Sequence, residues 1–571
     1  VNRNTNLHFS HVPSIDTKRS KFDESHSIKT TFNTGDIVPL MVDCDILPGD
    51  TVQMDMSEIV RMATPIYPIM DNLFFDIYWF FVPHRLTWEH WQAFWGENDD
   101  PWTNTNEYEI PQIEAPSGGW TEGTIADYFG IPTKVDGISV NALPFRAYAK
   151  IWNDWFRDEN LKSCCHMYMD DTTRTGSNSG DYVLNTELGA MPCKAAKMHD
   201  YFTSALPQPQ KSDPVSIPLT GQLEVYSGDL HNQVGDSLTG LRLGLIDTDG
   251  KMTNVPTNWS SITPYYVRNA TDQTLDAPTS SGTGKATSYN DGNYNGTAPV
   301  NLWADMSTAT AVTINQLRTA FAIQKYFENA GLHGTRYIEY LRGVFGVSSS
   351  DARLQRAEYL GGQRVPLNID QIIQTSSTDA TSPQGNTAGF SCTRNRASMF
   401  TKSFEEHGTL MCLGVVRTDH TYQQGLNKMW TRKKWTDFYN PFFAHLGEQA
   451  ILNENIYAQG STVVDTDGNI VDKQAFGYQE AWAEYRYKEN GTRGYMRSNA
   501  TGSLDVWHFA DDYNALPKLG SAWIDEPYEN VDRTIAVTSQ LTHQFIGDFY
   551  FKCTYTRPMP VYSIPGLIDH V

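Results

Sequence analysis

Cysteine is scarce in this chain, and the few thiols form no recognisable framework. The 571 residues contain seven cysteines, an odd number, with no C-x-x-C pair. Small disulfide-stabilised domains and zinc modules need closely spaced sets of cysteines. The pattern therefore argues against a disulfide framework and predicts that the chain folds in a reducing compartment.

The sequence also has no apolar run long enough to cross a membrane. The most apolar stretch, "LFFDIYWFFV" from Leu73 to Val82, is ten residues long and contains Asp76. A spanning helix needs about 20 mostly apolar residues. The first 21 residues, "VNRNTNLHFSHVPSIDTKRSK", have no apolar core, so no secretory signal is expected there. We expect no membrane insertion.

Positive charge is in deficit. The chain has 44 Lys and Arg against 66 Asp and Glu, which gives a formal net charge of −22. A protein that coats nucleic acid through bulk charge would be strongly basic. Any contact with nucleic acid must therefore come from a local patch.

Motifs for catalysis and for metal or phosphate binding are missing. The sequence contains no H-E-x-x-H, no G-x-S-x-G and no Cys/His cluster. The tetrapeptide "DTDG" at Asp247 and Asp465 resembles the start of a calcium loop, but Gly at position 6 and Glu at position 12 are both absent. "SGTGKAT" fails the P-loop spacing. We predict no catalytic residue, no metal site and no cofactor.

Strand patterns dominate what is present. "LFFDIYWFFV" is rich in aromatic residues and ends before Pro83, which predicts a buried strand. Because both of its faces are apolar, we expect one to pack on a second sheet and the other to lie under an insertion, with the following Trp88–Trp95 segment as a candidate cover. "FIGDFYFKCTYT" near the end alternates as a half-buried strand does. The residues predicted to fill the core from the first strand are Phe75, Ile77, Trp79 and Phe81.

Helical patterns are fewer. "TWEHWQAFWG" spaces Trp88, Trp91 and Trp95 as one helical face, and "TRYIEYLRGVFG" predicts a short helix. "TINQLRTAFAIQKYFENAG" carries a capping-box signature at Thr313 and a C-terminal Gly331. With 42 Gly and 28 Pro punctuating many short strands, the sequence predicts a sandwich or barrel decorated by helices.

One segment differs in composition from the rest. Residues 222–300 are rich in Ser, Thr, Asn, Gly and Asp and can bury little apolar surface. We predict that residues 222–300 form an exposed insertion, and that residues 1–221 and 301–571 together form the core.

One segment combines closely spaced basic and aromatic residues. "KMWTRKKWTDFYNP" interleaves cations, which neutralise phosphates, with aromatic rings, which stack on bases. The alternative is a solvated basic turn whose Trp side chains enter the core. "DTKRSK" near the start is a second candidate, and a solvated terminus is its simpler interpretation. The nucleic-acid candidates are Lys428, Trp430, Arg432, Lys433, Lys434 and Trp435, with Lys18, Arg19 and Lys21 as the weaker set.

Blocks along nearly the whole chain resemble the major capsid protein of microviruses, in particular the gokushovirus branch of small single-stranded DNA phages. The blocks are "SIKTTFNTGDIVPLMVDCDILPGDT", "YFTSALPQPQK", "HGTRYIEYLRGVFGVSSSDARLQRAEYLGG", "QGLNKMWTRKKWTDFYNPFFAHLGEQ" and "TRPMPVYSIPGLIDH". They occur in the family's order. Residues 222–300 show no such block, which agrees with a variable insertion.

The resemblance implies a mainly β fold, an eight-stranded antiparallel jelly roll with long insertions that contain a few helices. It implies self-assembly into an icosahedral T=1 shell that encloses single-stranded DNA, with the large insertion projecting outward. Residues 222–300 would then serve host attachment. The implied partners are further copies of the chain, the genome, a small basic DNA-binding protein, scaffolding proteins and a host receptor. The implied location is the virion, assembled in the host bacterial cytoplasm.

A different class of protein stays open at this point. A secreted jelly-roll protein that binds glycans, or a glycoside hydrolase, would also be aromatic-rich, and such an enzyme needs two carboxylates facing each other. The lack of an expected signal and the odd cysteine count weigh against secretion.

Overall fold

The computed structural model describes residues 18–97, 108–213, 215, 314–378, 383–537, 539 and 542–562, and the backbone of five short strands between 225 and 304. The chain divides into two compact units, residues 1–212 with 327–571, and residues 213–326. Most of the predicted insertion 222–300 lies outside the described residues. In the second unit, two of the short strands pair with each other and three form a small antiparallel sheet.

The strands in chain order are β1 (Ser20–Asp23), β2 (His26–Phe32), β3 (Val38–Ile46), β4 (Thr51–Met62), β5 (Leu73–Pro83), β6 (Gln112–Glu114), β7 (Ser139–Asn141), β8 (Arg174–Thr175), β9 (Val225–Ser227), β10 (Val267–Arg268), β11 (Leu275–Ala277), β12 (Gly284–Lys285), β13 (Leu302–Ala304), β14 (Glu358–Pro366), β15 (Ile369–Ile373), β16 (Thr387–Ser391), β17 (Thr393–Ser403), β18 (Gly408–Thr418), β19 (Thr421–Tyr422), β20 (Gln449–Leu452), β21 (Ala475–Gln479), β22 (Asn490–Gly491) and β23 (Phe545–Arg557). The α-helices are α1 (Trp91–Phe94), α2 (Ile125–Tyr128), α3 (Leu143–Ile151), α4 (Tyr182–Asn185), α5 (Ile314–His333), α6 (Tyr337–Phe345), α7 (Asn453–Ile456), α8 (Ala483–Arg486) and α9 (Glu529–Asp532).

Two antiparallel sheets make up the centre of the first unit, so the protein is mainly β. One sheet has the order β1-β23-β4-β17, with β2 also paired to β23. The other has the order β14-β5-β18-β3. Two long excursions leave these sheets: residues 84–357 between β5 and β14, and residues 419–544 between β18 and β23.

The principal core lies between the two sheets. Trp79 on β5 is fully buried, and its ring centroid lies 5.4 Å from that of Phe400 on β17 and 5.8 Å from that of Phe551 on β23. Strand β23 shows the predicted alternation, with Phe549, Phe551, Cys553 and Tyr555 buried. Phe75, Ile77, Trp79 and Phe81 all belong to this cluster.

The outer face of β5 is also covered, but not by the predicted segment. Phe80 and Val82 belong to a second buried cluster that includes Phe145 and Tyr148 of α3. The helix predicted from Trp88 to Trp95 is wrong in extent, because α1 spans only Trp91–Phe94. Trp88 precedes α1, is buried, and donates from its indole Nε1 to Asp171 at 2.6 Å.

Asp76 is the one charge in the apolar strand, and it lies between two guanidinium groups. Arg364 on β14 donates to both of its carboxylate oxygens, at 2.7 and 2.9 Å, and Arg417 on β18 donates to Oδ2 at 3.0 Å. Burial alone would raise the pKa of Asp76, but these hydrogen bonds and charges hold it below its ordinary value. The polar residue thus ties β5 to both of its neighbours in the sheet.

Two helix ends and one turn refine the sequence predictions. Helix α6 agrees with the predicted short helix and ends at Gly346, whose φ is +67°. Gly331 does not end α5, since the helix continues to His333 and Gly334 follows with φ +85°. Thr313 lies outside the described residues. The sequence "STVVDTDGNIVD" predicts a hairpin that turns at Asp467–Gly468. The turn is present, but it is flanked by a single bridge between Val464 and Ile470 instead of two strands.

Candidate nucleic-acid interface

Residues 427–443 form a chain of three tight 3-10 turns, each fixed by a polar side chain. Asn427 accepts from the Met429 amide at 3.0 Å, and Asn440 accepts from the Phe442 amide at 3.1 Å. Asp437 accepts from the amides of Lys433 and Lys434, both at 2.8 Å. These two bonds lower the pKa of Asp437, which stays ionised and holds the middle turn.

The turns leave the two tryptophans in solvent. Trp430 and Trp435 are each 71% exposed. They do not enter the core, in contrast to the alternative considered from the sequence. Phe442, in the Pro441–Phe443 turn, is 94% exposed as well. Such accessible ring faces are what base stacking requires.

The four cations of the segment divide into two pairs. Lys428 and Arg432 both reach Glu484, a nearly buried residue of α8, at 3.6 and 3.3 Å. Arg432 also stacks on Tyr485, with its guanidinium carbon 4.3 Å from the ring centroid. These two cations therefore hold the segment against α8, and the single Glu484 carboxylate offsets one of their two positive charges.

Lys433 and Lys434 behave differently. Both are exposed, and no carboxylate in the described part of the chain lies within salt-bridge distance of either ammonium group. They directly precede the Trp435–Asp437 turn. The surface consisting of Trp430, Lys433, Lys434 and Trp435, called here the 430–435 surface, combines two available cations with two exposed indoles.

Lys18, Arg19 and Lys21 lie elsewhere, at the start of the edge strand β1. Lys18 and Lys21 are exposed, and Arg19 donates to the Thr51 hydroxyl at 3.3 Å. Lys21 pairs in register with Thr556 on β23. The structure therefore does not bring these three residues into the 430–435 surface, which belongs to the 419–544 excursion.

Glu484 is the residue that sequence reasoning missed. It lies 52 positions after Arg432 in the sequence. By pairing with Lys428 and Arg432, it leaves Lys433 and Lys434 as the cations available to bind a phosphate. No local motif marks it, since only the fold brings α8 against the turns.

Among the described residues, no group of three or more His, Cys, Asp or Glu side chains is arranged to hold a metal ion. In that same part of the chain, no helix is both long and apolar enough to span a bilayer.

Two packed antiparallel sheets with long excursions define a mainly β protein, and one excursion carries exposed aromatic rings. Comparison with known proteins makes the assignment specific. A model of the family "Capsid protein (F protein)" matches residues 10–567. The chain belongs to this family of phage capsid proteins.

Individual relatives agree along nearly their full lengths. The chain is 42% identical over 567 residues to capsid protein VP1 of Spiroplasma virus 4, covering 98% of this chain and 96% of the relative. It is 40% identical over 599 residues to VP1 of Chlamydia phage 1, covering 98% and 97%. It is 42% identical over 561 residues to VP1 of Bdellovibrio phage phiMH2K, again covering 98% and 97%.

The predicted resemblance to gokushovirus major capsid proteins is thereby confirmed. The chain is a structural capsid protein of microvirus type, not an enzyme, and its place is in the virion as part of a self-assembled shell. The glycan-binding or glycoside hydrolase alternative is not favoured.

Proposed function

We propose that this capsid chain folds as an eight-stranded jelly roll, forms an icosahedral T=1 shell and encloses single-stranded DNA. The strand order supports the jelly roll. In chain order, the eight long strands of the two sheets are β2, β3, β4, β5, β14, β17, β18 and β23. The first, eighth, third and sixth of these lie in one sheet, and the second, seventh, fourth and fifth lie in the other. Such an alternation between two packed sheets is what a jelly roll built from two Greek keys would have. Assembly would take place in the host bacterial cytoplasm, with scaffolding proteins and a small basic DNA-binding protein as partners.

The direct test of assembly is electron microscopy of the purified chain, alone and with single-stranded DNA and a basic partner protein. Closed shells of one size, with icosahedral averaging that fits T=1, are the expected result. Shells of a larger triangulation number would contradict the T=1 proposal while leaving the family assignment intact.

The 430–435 surface is proposed as the DNA contact. What carries this proposal is the contrast between Lys428 and Arg432, which pair with Glu484, and Lys433 and Lys434, which do not. Two available cations would neutralise two phosphates of a single strand. The exposed indoles of Trp430 and Trp435 would stack on bases without selecting a sequence.

Binding of a fluorescent single-stranded oligonucleotide at several salt concentrations tests this contact quantitatively. For single strands, the slope of log affinity against log salt is about −0.7 per contacted phosphate. The double variant K433A/K434A should therefore reduce the steepness of the slope by about 1.4. The variant K29A removes a 73% exposed lysine of β2 that pairs with Asp548 at 3.6 Å; it is the control for a cation that already has a carboxylate partner and should leave the slope unchanged.

The tryptophans have their own control. W430A and W435A should each weaken binding by about 5- to 150-fold, as expected for the loss of one stacked base. W95A removes an indole that is 60% exposed on another part of the surface and should have no effect. Normal DNA binding by both W430A and W435A, together with failure to form shells, would reassign the 430–435 surface to contact between subunits.

The insertion 222–300 is proposed to attach the virion to a host receptor. Its support is compositional, since a polar segment of this length contributes little to a core. Deletion of residues 269–299 should leave shell assembly intact and reduce infection. Shortening a second polar loop, residues 376–384, controls for loop length alone and should preserve infectivity. Loss of shells in the 269–299 deletion would contradict the proposal.

A further inference from the structure

Two buried thiols lie next to each other in the excursion that follows β5. The Sγ atoms of Cys165 and Cys193 are 3.9 Å apart, and the two residues are 4% and 1% exposed. The hydroxyl oxygen of Thr186 lies 3.3 Å from the Cys193 sulfur and 3.5 Å from the Cys165 sulfur. Both cysteines are in the free thiol form.

Hydrogen bonds fix the backbone on both sides of this pair. Asn153 accepts from the Cys165 amide at 2.8 Å and donates to its carbonyl at 2.9 Å. The Cys193 amide donates to the Tyr148 hydroxyl at 3.1 Å, and its carbonyl accepts from the Ile37 amide at 3.0 Å. The thiols are therefore held side by side by the surrounding fold, and small side-chain rotations can change the distance between their sulfurs.

The pair is located where a cross-link would reinforce the subunit. Both cysteines belong to the buried cluster that covers the outer face of the β14-β5-β18-β3 sheet. A bond between them would close a loop from residue 165 to residue 193 across this cover. Closing a loop of this length restricts the unfolded chain and so stabilises the folded one.

We propose that Cys165 and Cys193 are a redox-modification site that becomes a disulfide when the particle meets an oxidising medium. The oxidant is a low-molecular-weight disulfide outside the cell. The proposal relies on the proposed cytoplasmic assembly only for its starting state, in which both thiols are reduced.

The chemistry is a pair of thiol–disulfide exchanges. The Cys165 thiolate attacks one sulfur of the small disulfide during a local opening, which forms a mixed disulfide and releases one small thiolate. Cys193 then loses its proton to solvent and attacks the Cys165 sulfur, which releases the second small thiolate. Two protein thiols are oxidised, and one small disulfide is reduced to two thiols.

The order of attack follows from the surroundings. A hydrogen bond from Cys193 is the main influence that lowers the pKa of Cys165, and the charges of Lys162 and Arg157 act in the same direction against the effect of burial. Burial raises the pKa of Cys193. Cys165 is therefore the better first nucleophile, since the thiolate is the reactive form.

The experiment uses full-length chain purified under reductant and then exposed to oxidised glutathione. The protein is unfolded with excess alkylating agent, its remaining thiols are counted by mass spectrometry, and its peptides are mapped. The count should fall from seven to five, with a mass loss of about 2 Da and a cross-linked peptide pair containing Cys165 and Cys193. Seven alkylated thiols after oxidation would overturn the proposal, and so would a link to any other cysteine.

Variants separate this pair from the exposed neighbour Cys164. C164S should still form the bond, so its six thiols fall to four, whereas C165S and C193S should keep all six. Oxidation should also raise the melting temperature of the wild type and of C164S by a few degrees, with no rise in C165S. Peptide mapping of the wild type decides the proposal even where C165S or C193S fails to fold.

Discussion

His420, two residues after β18, is enclosed by acidic groups in the interior of the first unit. Its Nδ1 lies 3.3 Å from Asp511, its Nε2 lies 3.0 Å from Glu526, and the three side chains are at most 2% exposed. Glu526 also accepts from the amide and hydroxyl of Thr418 at 2.9 and 2.6 Å. Lys197 lies 3.2 Å from Asp511, which balances the cluster with two cations and two anions.

The substitution H420Q should destabilise the subunit by about 3–5 kcal/mol, because it leaves buried carboxylates without one of their two cations. Burial alone would lower the pKa of His420, but Glu526 and Asp511 raise it from 6.5 to about 10. A pKa shift of this size corresponds to a stabilisation of the same order as the expected effect of H420Q, a few kcal/mol. Because the folded-state pKa is the higher one, the stabilisation is complete below pH 6.5 and is lost as the pH rises towards about 10.

Urea unfolding of the unassembled chain, followed by tryptophan fluorescence between pH 6 and pH 10, measures this effect. The difference in unfolding free energy between wild type and H420Q should be largest at the acidic end and shrink steadily towards the alkaline end. H445Q makes the same substitution at an exposed histidine and should match the wild type throughout. A difference between wild type and H420Q that is independent of pH would refute the assignment of a buried imidazolium.

Two further predictions concern the sheets. W79A should cost about 3–5 kcal/mol of unfolding free energy in the same urea assay, because Trp79 fills the space between the sheets, whereas W95A should stay within about 0.5 kcal/mol. D76N should cost about 3 kcal/mol, at the lower end for a buried ion pair because the Arg364 side chain is 47% exposed. The pKa of Asp76 is lowered in the fold, so the wild type should lose this advantage over D76N as the pH falls below 3.8. Equal stability of D76N and wild type at pH 7 would show that the two arginines do not need this carboxylate.

The elements predicted well are those whose pattern is local. Strand β23 alternates buried and exposed residues along its length, and α6 ends at a glycine in the left-handed region. Strand β5 is apolar on both faces, and the prediction that both faces are covered is confirmed. In each case the information lies within about a dozen neighbouring residues, where periodicity and end signals are read directly.

The failures have a long-range cause. The partners of Asp76 are 288 and 341 residues away in sequence, so no window around β5 could identify them. The tryptophan spacing after Pro83 matches a helix, but Trp88 is held before α1 by its bond to Asp171. Glu484 likewise reaches Lys428 and Arg432 only through tertiary packing. Tertiary contacts such as these override local propensity.

The division of the cations bears on how an acidic chain could enclose DNA. With Lys428 and Arg432 paired to Glu484, the proposed contact leaves two cations per subunit in a chain of net charge −22. One subunit would then bind a single strand weakly and in a salt-dependent way. A shell presents the same small contact many times on one connected surface, so that avidity replaces single-site affinity. If the proposed contact is correct, the genome would be held only after subunits have associated, and the acidic charge of the free chain would keep it from coating nucleic acid beforehand.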